Sequence, residues 1–346
     1  MVARRDRAHY ESPDTGGIVD TATARTGPAI GTNPELIEVR LTAIRYAARD
    51  THLYEFRRPD GAQLPAAEPG AHVDLHLPNG IMRQYSLTAP EAAPTAYVIG
   101  IKRDPESRGG SKYMFDDMHV GRLIKISPPR NNFPLDLNAP HTVLVAGGIG
   151  ITPIWAMAQQ LKALGKPWEL HYACRSRQDT AFLAELEQLS GPRFHFDEEA
   201  AGKFLDIKAI VASAPKGAHF YCCGPLPMLG AFEAATADLP PAQVHVEYFT
   251  AKDAPNLEGG FVVQLQRAGK EFVIPPGKSI LEVLRDSGLN VPYSCEEGIC
   301  GACETSVISG TPDHRDSVLT DSERAASKTM MICCSGCKSD KLVLDI

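Results

Sequence analysis

Near the C-terminal end, Cys295-Glu-Glu-Gly-Ile-Cys300-Gly-Ala-Cys303 places three cysteines in a C-x4-C-x2-C run, and Cys333 follows thirty positions later. A thiolate is a soft ligand, and three on one tight loop with a fourth from a later segment can close four positions around two irons. That is the spacing of a plant-type [2Fe-2S] centre. Gly298 and Gly301 lie inside the loop, where a chain wrapping a cluster needs left-handed backbone positions and inward-pointing N–H groups. Such N–H groups hydrogen-bond the sulfurs and help set the potential. Core thiols or a zinc site are the alternatives. The fourth ligand is open between Cys333 and its neighbours Cys334 and Cys337; spacing favours Cys333.

Three other runs carry chemistry. Arg83-Gln-Tyr85-Ser86 sits on an expected strand, where period-two alternation puts Arg83 and Tyr85 on one face. An arginine there can hold a phosphate, a tyrosine can lie along a flat ring system, and Ser86 adds a donor. Taken alone, a solvated strand arginine explains the run equally well. Ser107-Arg108-Gly109-Gly110-Ser111, a glycine-rich turn ahead of a helical Lys112–Met118, adds weight, because a backbone nest before a helix is a phosphate-binding device. The two together point to a flavin nucleotide. Gly147-Gly-Ile-Gly-Ile-Thr152-Pro153 follows a continuous apolar run, His141–Ala146. It departs from G-x-G-x-x-G, yet its glycines permit the same close backbone approach, and Thr152-Pro153 opens a helix. Cys222-Cys223-Gly224-Pro225 ends a later strand, at the edge where open α/β sheets bind ligands. Each of these two runs also reads as a plain turn. The eleven histidines form no close ligand set, and His52, His72, His119, His171 and His245 are read as structural.

The elements that must position these groups fall into blocks. Residues 1–34 lack apolar periodicity and read as a disordered extension. Residues 35–137 hold short strands, Leu36–Ile44, His52–Phe56, His72–Leu77, Gln84–Leu87, Tyr97–Ile101 and Leu123–Ile126, separated by Pro/Gly turns; this predicts an antiparallel β-barrel. In residues 138–250 strands (His141–Ala146, Trp168–Ala173, His219–Cys223, Val244–Phe249) alternate with helices (Ile154–Leu164, Thr180–Leu189, Met228–Thr236), the pattern of an α/β domain with a parallel sheet. Residues 251–260 read as a linker. Residues 261–346 begin with a hairpin, followed by a helix over Ser279–Asp286 with Ser279 and Glu282 as a capping box, the cysteine loop, and a last strand at Lys341–Asp345.

Composition bounds the partners. The formal charge is −7 over 346 residues, against a nucleic-acid or anionic-membrane surface. No run of about eighteen apolar residues occurs, and Met1–Arg7 precedes no apolar secretory segment. Nine cysteines, an odd number with cluster spacing, point to a reducing, cytoplasmic location.

Together, R-x-Y-S, R-G-G-S, G-G-I-G-I-T-P, C-G-P, the closing Glu247-Tyr248-Phe249 and the C-terminal cysteine pattern resemble the phthalate dioxygenase reductase and vanillate demethylase reductase family over residues 36–346. The resemblance implies an FMN-binding barrel, a central NAD-binding α/β domain and a C-terminal plant-type ferredoxin domain of β-grasp (α+β) type. It further implies that electrons pass from NADH through FMN to the [2Fe-2S] cluster and then to the terminal component of a Rieske oxygenase acting on an aromatic substrate. By position, Arg83, Gln84, Tyr85 and Ser86 would bind FMN, with Arg108, Gly109, Gly110 and Ser111 at its phosphate and Gly100, Ile101 and Lys102 beside it. Gly147, Gly148, Gly150, Pro153, Cys223, Gly224 and Pro225 would bind the nicotinamide nucleotide, and Thr152 and Phe249 would meet flavin and nicotinamide as the catalytic pair. Cys295, Cys300, Cys303 and Cys333 would be the iron ligands. The extension has no counterpart in the family pattern, and Gly336-Cys337 stands where Arg-Ala is expected. Arg175 and Arg177 follow the second sheet strand, where a 2′-phosphate would lie, so NADPH stays open beside the NADH that the resemblance favours. A cytochrome P450 redox partner and a non-enzymatic iron-sulfur redox sensor are the competing readings.

Overall fold

The computed structural model describes residues 35–107 and 109–346. The extension expected over 1–34, and Arg108 of the glycine-rich turn, lie outside the described residues. The first block comprises β1 (Ile37–Ala48), β2 (Thr51–Arg57), β3 (Ala71–His76), β4 (Met82–Ser86), β5 (Tyr97–Lys102), α1 (Gly110–Asp116), β6 (Leu123–Ile126) and β7 (Arg130–Asn131). Its strands pair antiparallel in the order β4-β3-β6-β1-β2-β5, with β7 on β3. A bridge between Leu87 and Ile99 joins the two ends of that order and curls the sheet into a barrel. Alternation buries Val39, Leu41, Val73, Leu75, Ile99 and Ile101 in one core. Tyr54 donates to the carbonyl of Met114 at 2.9 Å, which satisfies a buried phenol and ties α1 to the barrel.

The second block runs β8 (Thr142–Gly147), α2 (Ile151–Ala163), β9 (Trp168–Cys174), α3 (Leu183–Glu187), β10 (Pro192–Phe196), α4 (Ile207–Ser213), β11 (His219–Cys223), α5 (Leu226–Thr236) and β12 (Val244–Glu247). The sheet is parallel, in the order β10-β9-β8-β11-β12. The order reverses between β8 and β11, so the crevice for a ligand opens beyond Gly147 and Cys223. Every residue of β8 is buried, as its unbroken apolar run requires in a two-sided parallel sheet. Strand β10 and helix α4 were not expected. The sequence Pro192-Arg-Phe-His-Phe196 forms an edge strand buried fully only at Phe196, so it lacks the apolar run that announces an inner strand. The helix expected over Thr180–Leu189 is shortened to α3, because Phe182 takes a left-handed φ of 59° just ahead of it.

The third block contains β13 (Phe261–Leu265), β14 (Lys270–Ile274), α6 (Ile280–Asp286), β15 (Glu304–Ser309), β16 (Pro312–Asp313), α7 (Asp321–Ala326), β17 (Thr329–Met331), β18 (Gly336–Cys337) and β19 (Lys341–Leu344). Its five-stranded sheet has the order β14-β13-β19-β15-β17, with β13 and β19 parallel and the other pairs antiparallel. Ser279 and Glu282 form the reciprocal capping box at the start of α6. Leu281 and Leu284 of that helix are buried with Val263, Met330 and Leu342 of the sheet. Among the described residues no helix is long and apolar enough to cross a membrane.

Candidate functional site

One cavity of about 680 Å³ is lined by all three blocks. The barrel supplies Arg83, Gln84, Tyr85 and Ser86 from β4, Gly100, Ile101 and Lys102 from β5, and Ser111 from α1. The second block supplies Thr152 from the first turn of α2 and Phe249 from the segment after β12. From the third block comes Cys295. Residues more than two hundred positions apart in sequence thus face one space.

Close backbone approach explains the glycines around this cavity. A β-carbon on Gly110 would stand 2.7 Å from Cγ of Arg83, so the small residue lets the arginine lie across the glycine-rich turn. Gly109 has φ +99°, a conformation that favours glycine. On the other wall, a β-carbon on Gly150 would stand 2.2 Å from the Cys223 carbonyl, and one on Gly147 would stand 2.7 Å from Cδ of Pro225. The G-G-I-G and C-G-P runs are therefore halves of one contact between the ends of β8 and β11. Thr152 Oγ1 donates back to the Ile149 carbonyl, three residues earlier, at 3.0 Å. Gly147, Gly148, Gly150, Pro153, Cys223, Gly224 and Pro225 form the scaffold behind the cavity, whose wall here is Ile149 and Thr152. Burial pushes the Tyr85 phenol up to about 12, so it stays a neutral hydrogen-bonding group.

Among the lining residues given no site role from the sequence, three bear on the chemistry. His72, read as structural, is buried on β3 opposite Ser86, and both ring nitrogens lack a hydrogen-bond partner. Burial, and then Arg130, hold its pKa down at about 3, so the ring is neutral. Glu247 has a buried Oε2 with no partner, and burial pushes its carboxyl up to about 8. Asn132 lines the cavity and donates to the carbonyl of Cys300 at 2.8 Å. Only the E-Y-F run offered any signal for Glu247. For His72 the clue was its place on the strand that pairs with Arg83–Ser86.

Cys295, Cys300, Cys303 and Cys333 are all buried. The neighbouring Cys295 thiol and burial raise the Cys300 pKa, and the Cys333 thiol and burial raise that of Cys303. A bound cation reverses that penalty by favouring the thiolates, and four cysteines are the ligand count of a two-iron centre. Backbone N–H groups already point at sulfur: Glu297 and Ile299 donate to Cys295 Sγ at 3.3 and 3.4 Å, and Ala302 donates to Cys300 Sγ at 3.4 Å. Gly298 and Gly301 hold φ of +73° and +75°. The Cys334 and Cys337 thiols donate to the carbonyls of Met331 and Ser339, with Cys334 Sγ packed against Gly298 of the cysteine loop. The residues present fit a [2Fe-2S] cluster.

The family model described as "2Fe-2S iron-sulfur cluster binding domain" matches residues 263–338, and that described as "Oxidoreductase NAD-binding domain" matches residues 144–234. The chain is 55% identical to phenoxybenzoate dioxygenase subunit beta of Ectopseudomonas oleovorans, over 90% of this chain and 97% of that protein. The solved structure of phthalate dioxygenase reductase aligns with a TM-score of 0.70 and 41% identity, over 90% of this chain and 98% of that one. An intact type IV self-sufficient cytochrome P450 monooxygenase aligns with a TM-score of 0.80 and 39% identity, over 90% of this chain and 41% of that one. With motifs, fold and near full-length identity in accord, the chain belongs to the phthalate dioxygenase reductase family of oxidoreductases.

Proposed function

We propose that the protein is the NADH-dependent reductase component of an aromatic-ring oxygenase or demethylase system, delivering electrons to a Rieske-type terminal oxygenase. The observation that carries this reading is the single cavity shared by Arg83–Ser86, Thr152, Phe249 and Cys295. In it a donor nucleotide, a flavin and the edge of an iron-sulfur centre meet without crossing protein. Bound FMN supplies the exchange between hydride and single electrons, and a bound [2Fe-2S] cluster supplies a one-electron outlet.

The chain's own residues divide the work. Within residues 35–137, Arg83 with Ser111 and the Gly109-Gly110 turn holds the FMN phosphate; Arg108, which lies outside the described residues, is assigned to it from the motif alone. Tyr85, Gln84 and Ser86, with Gly100, Ile101 and Lys102, line the ring. Residues 138–250 carry NADH, with the Gly147–Pro153 and Cys223–Pro225 turns under it and Thr152 and Phe249 at the nicotinamide. Residues 251–260 link this to 261–346, where Cys295, Cys300, Cys303 and Cys333 hold iron. The oxygenase docks over the ferredoxin domain, and the reaction takes place in the cytoplasm.

The test is a visible spectrum with released-flavin identification, followed by NADH-driven turnover of a Rieske oxygenase. A preparation containing FAD, or none, or one that turns over only a cytochrome P450, overturns the proposal. The P450 partner is the second reading, supported by the 0.80 TM-score match to a P450 monooxygenase; assaying both acceptors side by side separates them.

A further inference from the structure

Two hydrogen bonds cross from the barrel to the cysteine loop, one at each end. Ser294, immediately before Cys295, donates from Oγ to Asp74 Oδ1 at 2.6 Å in a buried position. Asn132 donates from Nδ2 to the carbonyl of Cys300 at 2.8 Å. The barrel groups are themselves fixed. Arg130 Nη2 donates to both Asp74 carboxylate oxygens at 2.9 and 2.8 Å, and Asp74 N–H donates to Ser127 Oγ at 2.9 Å.

The segment carrying these groups is seated tightly on β3. Asn131 pairs with Ala71 and Arg130 with His72. Gly70, at φ +90°, lies so close that a β-carbon there would stand 1.9 Å from the Phe133 carbonyl. A buried carboxylate is costly unless fully paired; here its partners are one arginine of its own block and one serine of the cysteine loop. Interfaces between domains of one chain are mobile by default, whereas electron hand-over falls off exponentially with separation. Bonds placed directly beside two of the four thiols meet that need.

We propose that Asp74 and Asn132 are positioning residues that latch the 295–303 loop against the cavity, through Ser294 and the Cys300 carbonyl, and so set the rate of flavin-to-cluster electron transfer. One electron leaves the reduced flavin and one arrives at the oxidised cluster, with no bond made or broken. This rests on the FMN and [2Fe-2S] reading above.

The test uses the holoprotein with Ser294→Ala and Asn132→Ala combined, which leaves the Asp74–Arg130 pair intact. Each lost hydrogen bond is worth roughly three- to tenfold in the ratio of latched to unlatched loop. Amide hydrogen exchange across residues 294–303 is therefore expected to accelerate about tenfold or more, while residues 261–265 keep the parental rate. In single turnover with NADH, cluster bleaching slows about tenfold relative to flavin bleaching in the same variant; Ser294→Thr, retaining the hydroxyl, keeps the parental ratio. Parental cluster bleaching in the double variant overturns the proposal, whatever the exchange shows, and so does an equal slowing of both steps. Absence of NADH-driven flavin bleaching in the parent instead faults the functional reading, and the exchange measurement then still decides the latch.

Discussion

Gly100 of the barrel and Thr152 of α2 are in contact: a β-carbon on Gly100 would stand 2.6 Å from Thr152 Cγ2. This is where β5 of the barrel and α2 of the second block touch. Gly100→Ala must displace Thr152 or tilt α2, at a cost of about 1–3 kcal/mol. Hydride transfer from NADH is expected to slow by about tenfold or more, with cofactor content preserved. Stopped-flow flavin reduction checks this, and a parental rate would rule out Thr152 as a positioning contact.

Cys300→Ser removes one thiol and leaves the flavin wall untouched. It is expected to abolish the cluster's absorbance and oxygenase turnover. NADH-driven reduction of an artificial acceptor at the flavin should remain within about twofold of the parent. Loss of both activities in a folded protein would contradict the assigned order.

Glu247 sets a pH dependence of known sign. Its carboxyl is raised from 4.5 to about 8 by burial. Between those values the folded protein keeps a proton that the unfolded chain has released, so stability declines as pH rises through the window. Above about 8 the penalty is complete, on the order of a few kcal/mol. Glu247→Gln is therefore expected to flatten the decline and to melt above the parent at alkaline pH. Thermal melts taken across the window at constant ionic strength provide the check; an unchanged slope would show Glu247 to be ionised throughout.

Arg177, just beyond β9, pairs with Glu187 and Glu199, each at 3.1 Å, and stacks 4.8 Å above the Phe196 ring. A 2′-phosphate arriving there meets carboxylates as well as the guanidinium, which favours NADH. The pairs are exposed, and such pairs are worth about 0.2–1 kcal/mol. Replacing both acids with glutamine is expected to raise kcat/KM for NADPH by roughly two- to tenfold, with NADH little changed. Steady-state kinetics with both nucleotides measure the ratio; an unaltered ratio would remove Arg177 from cofactor choice.

Chemistry written in short spacing was legible before any fold was known. Cys295, Cys300 and Cys303 share one loop whose glycines show the left-handed angles that spacing demanded, and the Ser279–Glu282 capping box formed as read. The buried run of β8 announced itself because burial on both faces leaves an unbroken apolar stretch, and β3 did so through its alternating sequence, although the polar His72 and Asp74 are buried as well. β10 and α4 did not, since an edge strand and a short helix bury too little to leave a continuous pattern.

The sequence by itself determined which residue types could hold a phosphate, a flat ring and two irons, because each set lies within a few positions on one turn or strand. Only the tertiary structure decided that these sets face one cavity. It alone also placed His72, Asn132 and Glu247 in the wall and joined Asp74 to Ser294 across two hundred and twenty positions. Such contacts depend on strand register and on the docking of separate cores, and nothing in local spacing records which distant backbone will arrive opposite a given side chain.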